Sequence, residues 1–271
     1  MKIAVLGAGV MGKRIALLFA ERGFSVVLWS HVYSENLRKE LKREARLWKL
    51  NYETVAGFIE LTQDLSEIEE CLLIVESVCE DVLIKSEILR KVSAVVSSEA
   101  CIATNTSSLS IEALAASVTN PERFHGLHFF NPPQQLRFVE VSRCSKTSDD
   151  TIAFSEEILR RLEMSYIDIP DIPGFVVNYV LFSSIVSAIL LKQTYGINAK
   201  EIDNAMKLGA RHPMGPLELA DFIGLDTSLI ILKSLCSRTG DKRFEPPALL
   251  QTLVARHELG KKSGKGFYEY S

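Results

Sequence analysis

The opening of the chain limits its fold more than any other feature. Lys2 to Leu6 is an apolar run that leads directly into Gly7-Ala8-Gly9-Val10-Met11-Gly12, after which Met11 to Arg22 carries apolar residues at helical spacing. Strand, glycine turn and helix in that order make the first unit of a dinucleotide-binding fold. Gly7 permits the tight turn, Gly9 lets the backbone approach a pyrophosphate, and Gly12 allows close packing of helix on strand. The helix start at Val10 and Met11 supplies N–H donors and positive potential. Gly7, Gly9, Val10, Met11 and Gly12 are therefore candidate cofactor-binding residues.

The pattern continues. Ser25 to Trp29, Cys71 to Val75, Ala100 to Ala103, Phe124 to Phe129, Phe138 to Val141 and Ser165 to Ile169 read as strands. Helical spacing occupies Ser34 to Leu50, Asp81 to Val96, Ser110 to Ser117 and Asp149 to Leu162 between them. Such alternation predicts α/β architecture with a parallel, doubly wound, Rossmann-type sheet. The pattern stops at Pro170-Asp171-Ile172-Pro173-Gly174. Residues 1–171 are expected to form the dinucleotide-binding domain and 172–271 an all-α C-terminal substrate and dimerisation domain, with helices near Ala199 to Leu208, Leu217 to Phe222, Thr227 to Thr239 and Pro247 to Glu258. Ile172 to Leu191 is uncharged and long enough to span a bilayer, but its Pro, Gly, Asn and Ser residues favour a helix buried in a domain or dimer.

Composition excludes several classes. With 31 basic and 34 acidic residues the chain has no basic excess, so no nucleic-acid partner is expected. Its 5 cysteines form no CxxC pair, which argues against disulfide frameworks and metal sites and for a reducing cytoplasm. Glycines at 7, 9 and 12 interrupt the apolar start where a signal peptide needs continuity. A cytoplasmic protein without a membrane partner is the expectation.

Chemistry concentrates in Asn105-Thr106-Ser107-Ser108, His128-Phe129-Phe130-Asn131-Pro132 and Val139-Glu140-Val141. A hydroxyl, an imidazole and a carboxylate beside a bound dinucleotide suggest acid/base-assisted hydride transfer. His125 and His128 are three apart on a strand and so point to opposite faces, one inward and one not, a poor metal pair. Where the fingerprint places an acid for the ribose of NAD stands Ser30, and this leaves room for the 2′-phosphate of NADP, with His31, Arg38 or Lys39 as nearby positive charge. The stretch after it presents Leu37, Leu41, Ala45 and Trp48 on one helix face. Its basic residues, interleaved with Glu40 and Glu44, read as a solvated face.

The strings NTSSLSI (105–111), HFFNP (128–132), VEV (139–141), PGFVVN (173–178), PMGPLE (213–218) and GKGFY (264–268) together resemble the L-3-hydroxyacyl-CoA dehydrogenases, including the bacterial 3-hydroxybutyryl-CoA dehydrogenases. The resemblance covers nearly the whole chain. It implies that His128 is the general base, Glu140 its orienting partner, and Ser107 and Asn178 donors to the substrate oxygen, with Asn131 shaping the site. It also implies cofactor contacts at Glu80, Lys85, Asn105 and Ser107, NAD as cofactor, an acyl-CoA substrate and a homodimer through the helical domain. Three departures stand out: Ser30, Tyr179 where arginine is common, and a segment before Glu80 shorter than the family's CoA-contacting hairpin. Together with Pro132-Pro133, the short segment also fits the related gulonate dehydrogenases, resembling lambda-crystallin, which act on a free sugar acid. A non-catalytic nucleotide-binding sensor or structural relative is the third reading.

Overall fold

The computed structural model describes residues 1–32 and 36–270, which divide into two units, Met1–Ile172 and Pro173–Ser271. In the first unit β1 (Lys2–Leu6), α1 (Val10–Glu21), β2 (Ser25–Trp29), α2 (Leu37–Leu47), α3 (Tyr52–Ala56), β3 (Ile59–Thr62), β4 (Leu73–Glu76) and α4 (Val82–Ser93) come first. Then follow β5 (Cys101–Thr104), α5 (Ile111–Ala115), β6 (Phe124–Phe129), α6 (Pro133–Leu136), β7 (Phe138–Arg143), α7 (Asp149–Arg161) and β8 (Ser165–Pro170). The strands form one sheet in the order β3-β2-β1-β4-β5-β6-β7-β8. Helices cover both faces, so Ile3 to Leu6 and Leu73 to Val75 are wholly buried and their sequences are continuously apolar instead of alternating.

Two features of the sheet differ from the sequence reading. The sheet is not all parallel: β7 runs antiparallel to β6, and β8 follows β7. The link between β6 and β7 spans only residues 130–137, too short for a parallel crossover of a dozen or more residues, and it turns through α6 with Arg137 left-handed at φ 44°. The second difference is β3, a short edge strand paired with β2 that the pattern did not reveal.

Helix starts follow local side-chain chemistry. The Asp81 carboxylate accepts from the N–H groups of Leu83 and Ile84, and the Ser110 and Ser148 hydroxyls accept from Ala113 and Thr151. The predicted helix start at Ser34 lies outside the described residues. On α2, Leu37, Leu41 and Ala45 are buried as expected, and Trp48 is half-buried. Glu44 is not part of a solvated face, however, while the Glu40 side chain stays partly exposed. Glu44 is buried and bonds Arg14 Nε at 2.8 Å, and Glu40 pairs with Lys13, so both tie α2 back onto α1.

The second unit is helical: α8 (Phe175–Tyr195), α9 (Ala199–Gly209), α10 (Pro216–Ile223), α11 (Leu225–Thr239) and α12 (Ala248–Ala255). The long helix begins three residues later than predicted and ends four later, bounded by left-handed Gly174 and Gly196. It is long and apolar enough to cross a membrane by length and composition, yet Phe182, Ile185, Val186 and Ile189 lie in this unit's own core. Two buried aspartates fasten the C-terminal segment. Asp203 accepts from the N–H groups of Leu217 and Glu218 and from the Tyr268 hydroxyl, while Asp221 accepts from Phe267 N–H, Tyr268 N–H and the Tyr270 hydroxyl. Burial keeps the Asp221 carboxyl above its ordinary range despite those donors.

Candidate active site

The six parallel strands β3, β2, β1, β4, β5 and β6 all end on one edge of the sheet, where dinucleotides bind in this architecture. The glycine turn sits there. Gly7 has φ +102°, and a Cβ on it would stand 2.5 Å from the Ser77 carbonyl oxygen; one on Gly12 would stand 1.7 Å from the Gly7 carbonyl oxygen. The fold itself therefore requires these two glycines. At Gly9 a Cβ would meet nothing within 4 Å, and no side chain caps α1 there. The open position and the uncapped helix start, with Val10 and Met11 in its first turn, fit a diphosphate brought against the backbone. At the end of β2 the Ser30 hydroxyl donates to the Val32 carbonyl at 2.9 Å, and the Ser30 N–H to Thr62 O.

Beside this turn, the ends of β4 and β5 are locked by a buried charge network. Glu76 and Lys85 are both wholly buried, with Lys85 Nζ donating to the two carboxylate oxygens at 2.8 and 3.0 Å. Glu76 also accepts from Val78 N–H at 2.7 Å and the Thr104 hydroxyl at 2.6 Å, and Lys85 donates to the Asn105 carbonyl at 3.1 Å. Glu80 lies 3.8 Å from the Lys85 ammonium. One Glu80 oxygen accepts from the Thr106 hydroxyl, both N–H and hydroxyl of Ser107, and both N–H and hydroxyl of Ser108. Burial pushes the Glu80 carboxyl up, but the Lys85 charge and these donors outweigh it and hold it below the ordinary carboxylate range.

These positions add to the sequence reading. Lys85 is wholly buried and engaged by Glu76 and the Asn105 carbonyl. Its principal partner, Glu76, was missed. The signal was present: an acid closing the apolar run Leu73–Glu76 and a lysine in the apolar first turns of the following helix, two charges where burial demands pairing.

His128 and Glu140 are directly opposite partners in the antiparallel β6–β7 ladder, so their side chains share one face. His128 Nδ1 and a Glu140 carboxylate oxygen are 2.8 Å apart, Glu140 is wholly buried, and Phe130 lies against the imidazole with ring centroids 4.4 Å apart. His125 is buried too, contrary to the expectation that one of the two histidines faces outward, because this sheet is covered on both sides. On its opposite face His125 Nε2 meets the Ser155 hydroxyl at 2.8 Å, and burial pushes its pKa down to about 4. Asn105 joins the strand ends: its side chain accepts from Phe129 N–H at 3.1 Å and donates to Ser77 at 3.2 Å. Arg14 bonds the Asn131 side-chain oxygen and lies over the Trp48 ring. Asn178 is on α8, in the second unit. Among the described residues no three His, Cys, Asp or Glu side chains are placed to hold a metal ion.

A dinucleotide fold with a carboxylate-braced histidine at its nucleotide edge defines the class as a nucleotide-dependent oxidoreductase. Comparison with known proteins narrows it. Residues 2–172 match the NAD-binding domain of 3-hydroxyacyl-CoA dehydrogenase and residues 174–270 its C-terminal domain. The chain is 40% identical to a probable 3-hydroxybutyryl-CoA dehydrogenase of Deinococcus radiodurans, with 100% of both chains covered. It is similar to the crystal structure of FadB2 of Mycobacterium tuberculosis at 36% identity and a TM-score of 0.92, covering 99% and 98% of the two chains. The crystal structure of (S)-3-hydroxybutyryl-CoA dehydrogenase PaaH1 from Ralstonia eutropha gives 34% identity and a TM-score of 0.92, covering 100% and 99%. The chain belongs to the 3-hydroxyacyl-CoA dehydrogenase family and is an oxidoreductase of that kind.

Proposed function

We propose that the chain interconverts L-3-hydroxyacyl-CoA and 3-oxoacyl-CoA by the acid/base action of His128, with 3-hydroxybutyryl-CoA and acetoacetyl-CoA as the substrate pair. The observation that carries the proposal is the cross-strand His128–Glu140 pair at 2.8 Å. With Nδ1–H donated to the buried carboxylate, the lone pair sits on Nε2, and this nitrogen takes the substrate hydroxyl proton while the C3–H bond breaks and C3=O forms. Glu140 balances the imidazolium that results. In the reverse direction the imidazolium returns its proton to the oxygen. Asn178 and the Ser107 hydroxyl, once it turns from its bond to Glu80, donate hydrogen bonds to that oxygen, which favours the charge developing on it, and Asn131 shapes the acyl side.

A bound nicotinamide nucleotide supplies the hydride acceptor. Gly7, Gly9, Val10, Met11 and Gly12 hold its diphosphate, Ser30 faces its adenosine ribose, and Glu80, Lys85, Asn105 and Ser107 border its nicotinamide side. NAD is the favoured form, as the matched domain's description supports. Ser30 lacks the carboxylate that repels a 2′-phosphate, so NADP is accommodated as well. The protein works in the cytoplasm as a homodimer assembled through α8, whose Val180, Leu190 and Leu191 are exposed apolar residues in this single chain.

The test is His128→Gln. Turnover of acetoacetyl-CoA with NADH is expected to fall about 10²- to 10⁴-fold while the dissociation constant for NADH stays within a factor of about three. Near-parental turnover overturns the assignment.

A further inference from the structure

Side chains two residues apart on a strand share a face, so the face of the β6–β7 ladder that carries His128 is a short row of rungs. Gly126 pairs with Ser142 and His128 with Glu140, and the next step on this face sets Phe130 against Phe138. The Gly126–Ser142 rung is closed. Both residues are buried, and a Cβ on Gly126 would stand 2.8 Å from Ile111 Cδ1 and 3.2 Å from Ser142 Cβ, so the wholly buried Ile111 at the start of α5 already fills the place a side chain would take. The rung on the other side of His128 is aromatic. The Phe130 and Phe138 ring centroids are 5.5 Å apart, and Phe130 also lies 4.4 Å from the imidazole. Both rings are only half-buried, so they border the space over His128. The turn through α6 creates this rung by bringing Phe138 back against Phe130.

We propose that Phe130 and Phe138 are specificity-determining residues: together they form an apolar end wall beyond C4 of the substrate and select a short acyl tail. The inference rests on the dehydrogenase reading given above, in which the C3 hydroxyl meets His128 Nε2 and the hydrogen on C3 faces the nucleotide. Two carbon arms remain on C3. The arm that carries CoA leads to solvent, because its far end is large and charged, and the closed Gly126 rung admits neither arm. C4 therefore lies toward the aromatic rung. Neighbouring rungs on one face are about 7 Å apart, which leaves room for a methyl group before the rings but not for a long straight tail. Rings packed on each other and on the imidazole yield little, since enlarging the contents of a packed apolar site forces side chains off their rotamers. The same wall offers no hydrogen-bond partner to a C4 hydroxyl, so a polyhydroxylated acid would set polar groups against aromatic carbon.

The experiment measures kcat/KM for acetoacetyl-CoA and for 3-oxooctanoyl-CoA with NADH in the full-length parent, Phe138→Ala and Phe138→Leu, and reads the ratio of the eight-carbon to the four-carbon value. Both substrates are assayed on one preparation, so the ratio does not respond to lost stability or to a smaller active fraction. The parent is expected to favour the four-carbon substrate at least about tenfold. Phe138→Ala is expected to raise the ratio at least about tenfold, and Phe138→Leu, with a side chain of intermediate size, by a smaller factor in the same direction. A parent that uses the eight-carbon substrate as efficiently as the four-carbon one overturns the proposal, as does a ratio in Phe138→Ala that falls or stays within about twofold of the parent's. If Phe138→Ala does not fold, Phe138→Leu decides: a rise of at least about threefold supports the wall, and an unchanged or lower ratio overturns it. Failure of the parent to reduce either substrate instead removes the dehydrogenase reading itself, so the two failures are distinct.

Discussion

Glu140→Gln removes the charge that faces His128 and keeps the shape of the side chain. The amide has the shape of the carboxylate, the site is wholly buried, and the residue lies opposite His128 in the β6–β7 ladder, so the strands have no reason to move. What changes is charge. In the proposed reaction the imidazole becomes a cation whose Nδ1 lies 2.8 Å from the carboxylate oxygen. Placing the charge centres at roughly 4 Å with an effective dielectric constant of about 20, the attraction is about 4 kcal/mol. A barrier raised by that amount slows the step about 10³-fold. The assay is the loss of NADH absorbance with saturating acetoacetyl-CoA, next to a binding titration with NADH alone. The expected result is a kcat reduced on the order of 10³-fold with NADH affinity preserved. A variant within about fivefold of parental kcat would refute the reasoning that the carboxylate stabilises imidazolium.

Three further outcomes follow from the same geometry. Gly9→Ala is expected to leave the melting temperature of the ligand-free protein unchanged and to weaken NADH binding at least about tenfold, because its Cβ meets only the space a diphosphate needs, whereas Gly12→Ala, aimed 1.7 Å from the Gly7 oxygen, is expected to lower the melting temperature itself. Ser30→Asp is expected to raise the ratio of NADH to NADPH affinity, read by parallel titrations, since a carboxylate accepts from a ribose hydroxyl and repels a phosphate. His125, with a folded pKa of about 4, makes stability depend on pH: the folded state prefers the neutral ring, so its contribution is complete above the unfolded value near ~6.5 and is lost as pH falls to ~4, a loss of roughly 3 kcal/mol that denaturant titrations of His125→Gln should lack.

The fold class and the family were legible because several independent signals agreed. The opening strand, glycine turn and helix come from local sterics, and six motifs in fixed order span both halves of the chain. Strand direction was a different matter. A strand reads alike in either direction, and only the eight residues between Phe129 and Phe138, too few for a crossover, carried the information. That reversal matters because it brings Glu140 opposite His128, a contact that spacing along the chain does not express. Edge strand β3 was invisible because four residues flanked by a short helix and a turn give too little periodicity. Glu76 escaped notice for the opposite reason, since an acid at a strand end usually reaches solvent; only the helical cover over both sheet faces makes it interior. Glu40 and Glu44 illustrate the same limit, their pairing with Lys13 and Arg14 being set by how α2 docks on α1.

The most direct test of the account is a steady-state comparison of the purified protein on acetoacetyl-CoA and on free acetoacetate, each with NADH. The account predicts that acetoacetyl-CoA is reduced to L-3-hydroxybutyryl-CoA with one NADH consumed per product and that free acetoacetate is reduced at least about 10²-fold less efficiently, since remote binding of the CoA portion lowers the barrier at C3. Equal or greater efficiency with the free acid, or NADH binding without turnover of either compound, would contradict it.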